Sequence, residues 1–213
     1  PESDVIVAYP ALPDSVSHNA MVASEDSTFI APKRYILSVG TLQPRKNFTR
    51  LIEAVSLLPD KDISLLIVGK KGWLYDDILS SSRKYGIEER VQFLDFVDDN
   101  ALSTLYKNAV CFALPSLYEG FGLPVLEAMA HGVPVVVSTG SSLPEIAGDA
   151  GIYVDPEDVE SIASGLTQAL TEDAKTRSSR IAKGKERVKH FTWDKAAEKV
   201  MQVLTDVGKK GKI

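Results

Sequence analysis

The sequence predicts a doubly wound α/β domain, in which a parallel sheet of about six strands has helices on both faces. From residue 34 onward, short β-branched runs alternate with longer stretches of helical period, which is the order expected of strands joined by crossover helices. Several of the strand runs are apolar throughout, as burial on both faces requires. A length of 213 residues with 44% hydrophobic residues is enough for one large domain with its own core.

Six apolar runs are the predicted strands. They are rich in valine, isoleucine and leucine, and they span residues 35–40, 64–69, 91–96, 109–115, 134–139 and 151–155. The single cysteine, Cys111, lies in the fourth run, so we expect a buried thiol there. One cysteine also excludes internal disulfides and multi-cysteine metal sites.

Helical periodicity fills the segments between and after these runs. Asp155 and Thr192 are the predicted N-caps of two late helices, and His131 is expected to cap carbonyls at the end of another. Trp73 and Trp193 are predicted to be packing residues. The predicted helices span 47–58, 73–85, 99–109, 123–132, 142–148, 155–173, 173–191 and 192–207.

Charge and composition exclude several functions. The 24 Lys and Arg against 29 Asp and Glu give a net charge of −5, which argues against generic binding to nucleic acid or to anionic membranes. No apolar run approaches the roughly 18 residues of a membrane span, and no signal peptide is visible. We therefore predict a cytoplasmic compartment. The start at Pro1, without an initiator methionine, suggests a fragment of a longer protein.

The loop after the first predicted strand combines a glycine with two cations. Gly40 ends the strand, and Arg45 and Lys46 stand just before the next helix. Ligands of open parallel sheets bind where strands end and helices begin, so the two cations can neutralise a diphosphate there. The alternative interpretation is a solvated basic pair that flanks a helix.

The loop after the fourth predicted strand has the glycines of a phosphate cradle. Gly120 and Gly122 precede a helix with proline in its first turn, where free backbone N–H groups can bind phosphate. Glu119 and Glu127 would repel that phosphate but can accept hydrogen bonds from neutral hydroxyls. Together these groups fit a nucleotide sugar, unless the two glutamates are merely surface residues. Neither a P-loop nor a dinucleotide fingerprint is present.

The stretch YEGFGLPVLEAMAHGVPVVVS, which holds Glu119 and Glu127 separated by seven residues, resembles a known signature. It is similar to the EX7E motif of retaining glycosyltransferases of group 1, also called family four. Four further blocks resemble that family in the same order, namely YILSVGTLQPRKNFTRLIEA, LLIVGKKGW, FLDFVDDNALSTLYKNA and SSLPEIAGDAGIYVDPED. The resemblance extends from residue 34 to about residue 200.

This resemblance implies the C-terminal, donor-binding half of a GT-B enzyme, whose two Rossmann-like domains face each other across a cleft. In that family Glu119 would contact the donor sugar and support the developing oxocarbenium charge, while Glu127 would hold the ribose. Arg45 and Lys46 would bind the diphosphate and stabilise the leaving group. The remaining donor-binding residues implied by the family are Gly40, Phe96, Val97, Gly120, Phe121, Gly122 and Leu123. Backbone amides at Gly40 and from Gly122 to Leu123 would join the diphosphate site, and the segment around Phe96 and Val97 would meet the base.

The family further implies transfer with retention at the anomeric carbon, in polysaccharide biosynthesis, without a metal ion or cofactor. The GTLxPRKN form of the first loop resembles mannosyltransferases that use GDP-mannose. Thr41 stands where many members have arginine, so Lys46 matches the family by position and Arg45 by proximity alone.

The resemblance also implies a division of the chain. Residues 1–33 would hold the last strand of the acceptor-binding domain and a linker, 34–190 would bind the nucleotide sugar, and 191–213 would cross back to the acceptor domain. Since that domain has no counterpart here, we expect binding without transfer, and membrane contact at the inner face only through the missing domain. Two alternatives remain: a noncatalytic nucleotide-binding or interaction module of the same fold, and a nucleotide-sugar epimerase.

Overall fold

All six strands predicted between residues 35 and 155 are present in a computed structural model of the chain, which describes residues 5–12 and 31–210. They form one sheet in the order β3-β2-β1-β4-β5-β6, and each neighbouring pair is parallel. The doubly wound α/β class is confirmed. The strands are β1 Tyr35–Val39, β2 Ser64–Val68, β3 Val91–Leu94, β4 Cys111–Leu114, β5 Val135–Ser138 and β6 Gly151–Val154.

The order of the strands reverses between β1 and β4. From β1 the chain builds outward through β2 to β3, and it then returns to place β4 on the other side of β1. The two central strands pair Ile36 with Cys111 and Leu37 with Phe112. The loops that leave β1 and β4 therefore diverge at the carboxyl edge of the sheet, and the crevice between them is where ligands of such sheets bind.

Helices cover both faces of the sheet and divide the core into two clusters. Leu37 and Phe112 point to the face covered by α3, α4, α5 and α7, whereas Ile36 and Val136 point to the face covered by α1, α2 and α6. Cys111 is buried, as expected, and burial raises the pKa of its thiol to about 12. The helices are α1 Phe48–Leu57, α2 Asp76–Lys84, α3 Asp99–Asn108, α4 Leu123–Ala130, α5 Leu143–Ala147, α6 Val159–Thr171, α7 Ala174–Val188 and α8 Trp193–Lys210.

One of the two predicted N-caps is wrong. Helix α6 begins at Val159, and the side chain that caps it is that of Asp158, which accepts from the N–H of Glu160. Asp155 instead accepts from the N–H of Glu157 in a turn that precedes the helix. Thr192 accepts from the N–H of Lys195 as predicted, at 3.3 Å.

The predicted packing role of the tryptophans is also wrong. Trp73 and Trp193 are 58% and 56% exposed. Trp73 lies in an irregular segment and donates its ring N–H to Gln43. Trp193 begins α8, whose apolar residues are exposed as well, at Val200, Met201, Leu204 and Val207. Sequence hydrophobicity could not distinguish a face that packs within this chain from one that does not.

The segment 5–12 is irregular, although a strand was expected in this part of the chain. Its first three residues, Val5 to Val7, are exposed, and no described strand pairs with them. Tyr9 anchors the segment, because its ring packs against Phe121 and Phe191 and its hydroxyl donates to Glu145. The rest of the predicted linker, residues 1–4 and 13–30, and the last residues, 211–213, lie outside the described residues. No described helix is both long and apolar enough to cross a membrane.

Gly69 follows β2 and lies against the ends of β1 and β3, and its substitution tests the fold. Its backbone has a φ of +159°, its N–H donates to Leu94, and a Cβ atom there would collide with the carbonyl oxygen of Gly40. We expect Gly69→Ala to lower the free energy of unfolding by at least about 1–3 kcal/mol, the cost of such backbone strain. Urea unfolding measures the change.

Gly208→Ala is the control, since Gly208 lies within α8 with open space around it. This variant should gain about 0.5–1 kcal/mol in helix stability. Equal stabilities of the two variants would contradict the assigned packing.

Candidate functional site

The loops that follow β1 and β4 are bound to each other across the crevice. After β1, a single 3-10 turn, Pro44–Lys46, leads into α1. The carbonyl of Arg45 accepts from the N–H of Leu117, and the amide of Asn47 donates to the carbonyl of Pro115. The two predicted loops therefore form one structural unit, although about 70 residues separate them in the sequence.

Asn47 shapes the entry into α1. It is buried in the left-handed conformation with a φ of +61°, which asparagine tolerates better than most residues. Its side-chain amide also donates to Pro156, and its side-chain oxygen accepts from Arg50. Since three segments of the chain converge on this amide, the turn that holds Lys46 is fixed in place.

The centre of the unit is a buried carboxylate with two cations. Glu119 Oε1 accepts from Lys46 Nζ at 2.7 Å and from Ser116 Oγ at 2.7 Å, and Oε2 accepts from Arg45 Nη1 at 2.8 Å. The side chains of Lys46 and Glu119 are each 7% exposed, whereas that of Arg45 is 41% exposed. Arg45 also donates to the carbonyl of Tyr118. The alternative of a solvated basic pair is therefore wrong for Lys46.

The cations keep Glu119 ionised. Burial by itself raises the pKa of this carboxyl, but the hydrogen bonds from Lys46, Ser116 and Arg45 outweigh it, so that the pKa lies below its ordinary value. The site thus contains two positive charges against one negative charge. It retains a net positive charge toward an anion in the crevice.

Gly40 contributes space but not its N–H group. The N–H of Gly40 donates to the carbonyl of Val68 at 2.9 Å, so the expectation that this amide binds diphosphate is not met. Its φ is +156°, and a Cβ atom there would lie 2.9 Å from Cε of Lys46. A glycine at this position therefore leaves room for the lysine side chain.

The glycine loop before α4 brings the start of this helix to the crevice. Gly122 is the N-cap, with a φ of +120°, and no described side chain caps this end of the helix. In the first turn Pro124 has no N–H, and the N–H groups of the next two residues donate to the carbonyl of Gly122. The N–H of Leu123 is therefore the one in this turn without a described partner. Gly120 is exposed at the tip of the loop, and Phe121 is half-buried against Phe191.

Two serines after β5 hold the glycine loop. The N–H of Glu119 donates to Ser141 Oγ at 3.0 Å, and Ser142 Oγ donates to the carbonyls of Glu119 and Phe121. Ser141 has a φ of +54°, which is uncommon for a residue other than glycine. The loop is therefore fixed at the backbone on both sides of the Glu119 side chain.

Glu127 lies in α4, apart from the ion pair of Glu119. Its Oε2 accepts from the hydroxyl of Tyr106 at 2.7 Å. Burial raises its pKa, the hydrogen bond from Tyr106 lowers it, Asp99 raises it, and the net pKa lies above the ordinary value. The two glutamates of the sequence pattern thus differ in environment, one ion-paired with its pKa lowered and the other half-buried with its pKa raised.

The other predicted positions lie at the same edge of the sheet or at the end of α4. Phe96 and Val97 follow β3, and Phe96 is 73% exposed with the ammonium of Lys70 over its ring. His131 contacts the carbonyl of Glu127 through Nδ1 at the end of α4, as predicted. Within the described ranges, no group of three metal-binding side chains could hold a metal ion.

Sequence reasoning missed the polar residues that support the site. Ser116 contacts Glu119, Asn47 bridges the loops, and the two serines after β5 bind the glycine loop. Tyr106 was assigned only to a predicted helix, although it contacts Glu127. The one local signal was the position of Ser116 directly after an apolar strand, where a side chain reaches the crevice.

Comparisons of the sequence with known proteins give matches over most of the chain. The sequence profile described as "Glycosyl transferases group 1" matches residues 23–187. The O-antigen chain mannosyltransferase B of Escherichia coli is 43% identical over 169 residues, which are 78% of this chain and 44% of the relative. A D-inositol 3-phosphate glycosyltransferase of Corynebacterium diphtheriae is 34% identical over 177 residues, which are 79% of this chain and 41% of the relative. The chain spans less than half the length of these curated relatives.

Solved structures give the same fold. Sucrose-phosphate synthase from Thermosynechococcus elongatus superposes with a TM-score of 0.74 at 26% identity, over 95% of this chain and 50% of the other. A glycosyltransferase from Rickettsia africae superposes with a TM-score of 0.85 at 16% identity, over 98% and 59%, and this likeness shows the fold alone. The GT-B fold expected from the sequence is thereby confirmed. On the profile match and the 43% identity, the chain belongs to the glycosyltransferase group 1 family.

Proposed function

We propose that this chain is the donor-binding part of a retaining glycosyltransferase, which moves a hexose from a nucleoside diphosphate sugar to a saccharide or lipid acceptor. The observation that carries the proposal is the buried cation of Lys46, held beside Glu119 in the crevice between β1 and β4. A second cation and the uncapped start of α4 add positive charge on the same crevice. Such a crevice suits a ligand that has an anionic part and a second part with several hydroxyl groups.

The two cations act on the diphosphate in this proposal. When the bond between the anomeric carbon and the phosphate oxygen breaks, its electron pair stays with the diphosphate, whose negative charge grows. Cations that are already held in place stabilise this charge without reorganising. Glu119 holds both Lys46 and Arg45, and a carboxylate that accepts three hydrogen bonds retains capacity for a sugar hydroxyl.

The remaining residues surround the other parts of the donor. Glu127 accepts hydrogen bonds from the ribose diol, and the segment around Phe96 and Val97 meets the base. The glycine loop, Gly120 to Leu123, encloses the phosphates with its N–H groups. Since two cations and the N–H groups of this loop meet the diphosphate charge, the proposed reaction needs neither a metal ion nor a cofactor.

Mannose from GDP-mannose is the donor that we favour. The relative at 43% identity is named an O-antigen chain mannosyltransferase, and a serotype-specific mannosyltransferase of Escherichia coli is 33% identical over 189 residues. The form of the first loop, with Arg45, Lys46 and Asn47 in sequence, supports the same donor by resemblance.

Transfer requires a second domain in this proposal. We assign residues 34–190 to donor binding, 1–33 to the end of an acceptor-binding domain and its linker, and 191–213 to a helix that returns to that domain. The exposed apolar residues of α8 and of the segment Val5 to Val7 suit such a neighbour. The enzyme would act in the cytoplasm, with any contact to the inner face of a membrane made through the acceptor domain.

The two alternatives have less support. A noncatalytic module would have no need to keep Lys46, Glu119 and Glu127 together, yet all three are present. The relatives named above are transferases, which favours transfer over epimerisation.

Because Lys46 pairs with Glu119 and is also proposed to bind phosphate, substitutions can separate its effect on stability from its effect on nucleotide affinity. Lys46→Met should weaken the binding of GDP by about tenfold or more, because a charged contact to phosphate is lost. It should also lower the free energy of unfolding by up to about 3 kcal/mol, because the Glu119 carboxylate keeps Arg45 but loses its buried partner. Adding Glu119→Gln should restore most of the stability but not the affinity. Thermal unfolding and titration calorimetry measure the two quantities.

Lys61→Met is the control, since Lys61 is exposed and precedes β2 at the opposite edge of the sheet. It should change neither quantity. A double variant of Lys46 and Glu119 that binds GDP as tightly as the wild type would refute the assignment of Lys46.

The proposed second domain predicts that these 213 residues by themselves bind nucleotide without transferring sugar. The 213-residue chain should bind GDP in calorimetry and release no mannose from radiolabelled GDP-mannose to a saccharide or lipid acceptor. Measurable transfer by this chain would show that it contains a complete acceptor site, against our proposal.

A further inference from the structure

A buried tyrosine stands behind Glu127, in contact with the carboxylate and away from the crevice. Tyr106 is part of α3 and is 1% exposed, whereas Glu127 is half-buried in α4. The tyrosine hydroxyl donates to Oε2 of Glu127 at 2.7 Å. The contact joins two helices on the same face of the sheet and holds a carboxylate at the edge where the donor is proposed to bind.

The ring of Tyr106 cannot readily turn away. It lies against Phe112 of β4, with ring centroids 5.7 Å apart. His131 also stacks on it, at 5.3 Å and an interplanar angle of 16°. His131 is itself held, because Nδ1 contacts the carbonyl of Glu127 and Nε2 contacts Ser103 Oγ. The hydroxyl therefore has a fixed position relative to α4.

The ionisable groups around this contact keep the Tyr106 hydroxyl protonated, so that it donates the hydrogen bond. Burial and the neighbouring Glu127 raise the pKa of Tyr106 well above its ordinary value, so its hydroxyl keeps its proton. Burial and Asp99 raise the pKa of Glu127, whereas the hydrogen bond from the Tyr106 hydroxyl lowers it. Lys107, together with burial, lowers the pKa of the stacked His131, which is thus neutral near pH 7.

We propose that Tyr106 is the positioning residue for Glu127: its hydroxyl fixes Oε2 and maintains the carboxylate, so that the remaining oxygen can accept a ribose hydroxyl of a nucleoside diphosphate. This inference rests on the proposed function of the site. Tyr106 itself touches no substrate, and it acts through the orientation and the charge of Glu127.

Tyr106→Phe and Tyr35→Phe form a matched pair of variants. Tyr35 is also 1% exposed, and its hydroxyl also donates a hydrogen bond of 2.7 Å, but to the backbone carbonyl of Leu105. Each variant removes one buried hydroxyl, so the two should lose similar stability. Only Tyr106→Phe should weaken the binding of GDP by the 213-residue chain, by about fivefold to tenfold.

The pH dependence separates positioning from a purely structural effect. Without the hydroxyl, the pKa of Glu127 rises further, so its carboxylate takes up a proton at a higher pH than in the wild type. On acidification, the affinity of Tyr106→Phe for GDP should therefore begin to fall at a higher pH than the affinity of the wild type. Glu127→Gln should remove this pH dependence, and Tyr35→Phe should retain that of the wild type. Carbon-13 NMR of the Glu127 carboxyl reports the pKa directly, without a ligand.

Four outcomes decide the proposal. Weaker binding and a raised Glu127 pKa in Tyr106→Phe alone support it, whereas equal affinities and equal pKa values in the two tyrosine variants overturn it. If the wild type binds none of GDP, UDP or ADP, the proposed function fails, but the NMR titration still decides whether Tyr106 sets the charge of Glu127. If Tyr106→Phe does not fold, the Cζ resonances of Tyr106 and Tyr35 are compared between the wild type and Glu127→Gln. The resonance of Tyr106 must shift and that of Tyr35 must not. An unshifted Tyr106 resonance overturns the contact.

Discussion

The buried pair of Lys46 and Glu119 is the interaction on which the site depends. A lysine or a glutamate of such low exposure would be costly to bury alone, and each is tolerated because the other lies 2.7 Å away. The two residues come from loops at the ends of β1 and β4, so the pair can form only where the strand order reverses. The requirement to pair buried charges thus fixes the distance between the two sides of the crevice.

The surrounding residues maintain that arrangement. Asn47 holds the first loop in a left-handed turn, and Ser141 and Ser142 hold the backbone of the second. Helix α4 starts directly after the second loop, so the N–H of Leu123 and the half-buried Glu127 have a fixed relation to the ion pair. The cations, this N–H group and the carboxylates therefore occupy one edge of a rigid sheet, as a ligand with both phosphate and hydroxyl groups requires.

Local sequence patterns predicted the fold well because strand burial and helical periodicity depend on residues that are close together in the sequence. Apolar strand runs and helical periods located every strand and helix from residue 35 onward to within a few residues, except that Asp155 was mistaken for the cap that Asp158 provides. Contacts between distant residues were not predictable in this way. Lys46 and Glu119 are 73 positions apart, and nothing near Tyr106 in the sequence indicated its contact with Glu127, 21 positions away. Such contacts follow from packing of the whole sheet and its helices.

The central claim is that this crevice binds a nucleoside diphosphate. Amide NMR of the isotope-labelled 213-residue chain, titrated with GDP, tests it most directly. We expect shift changes concentrated at residues 40–47, 96–97 and 119–127, with little change on α6 or α7. A spectrum unchanged at millimolar GDP, or changes that cluster away from the carboxyl edge of β1 and β4, would contradict it.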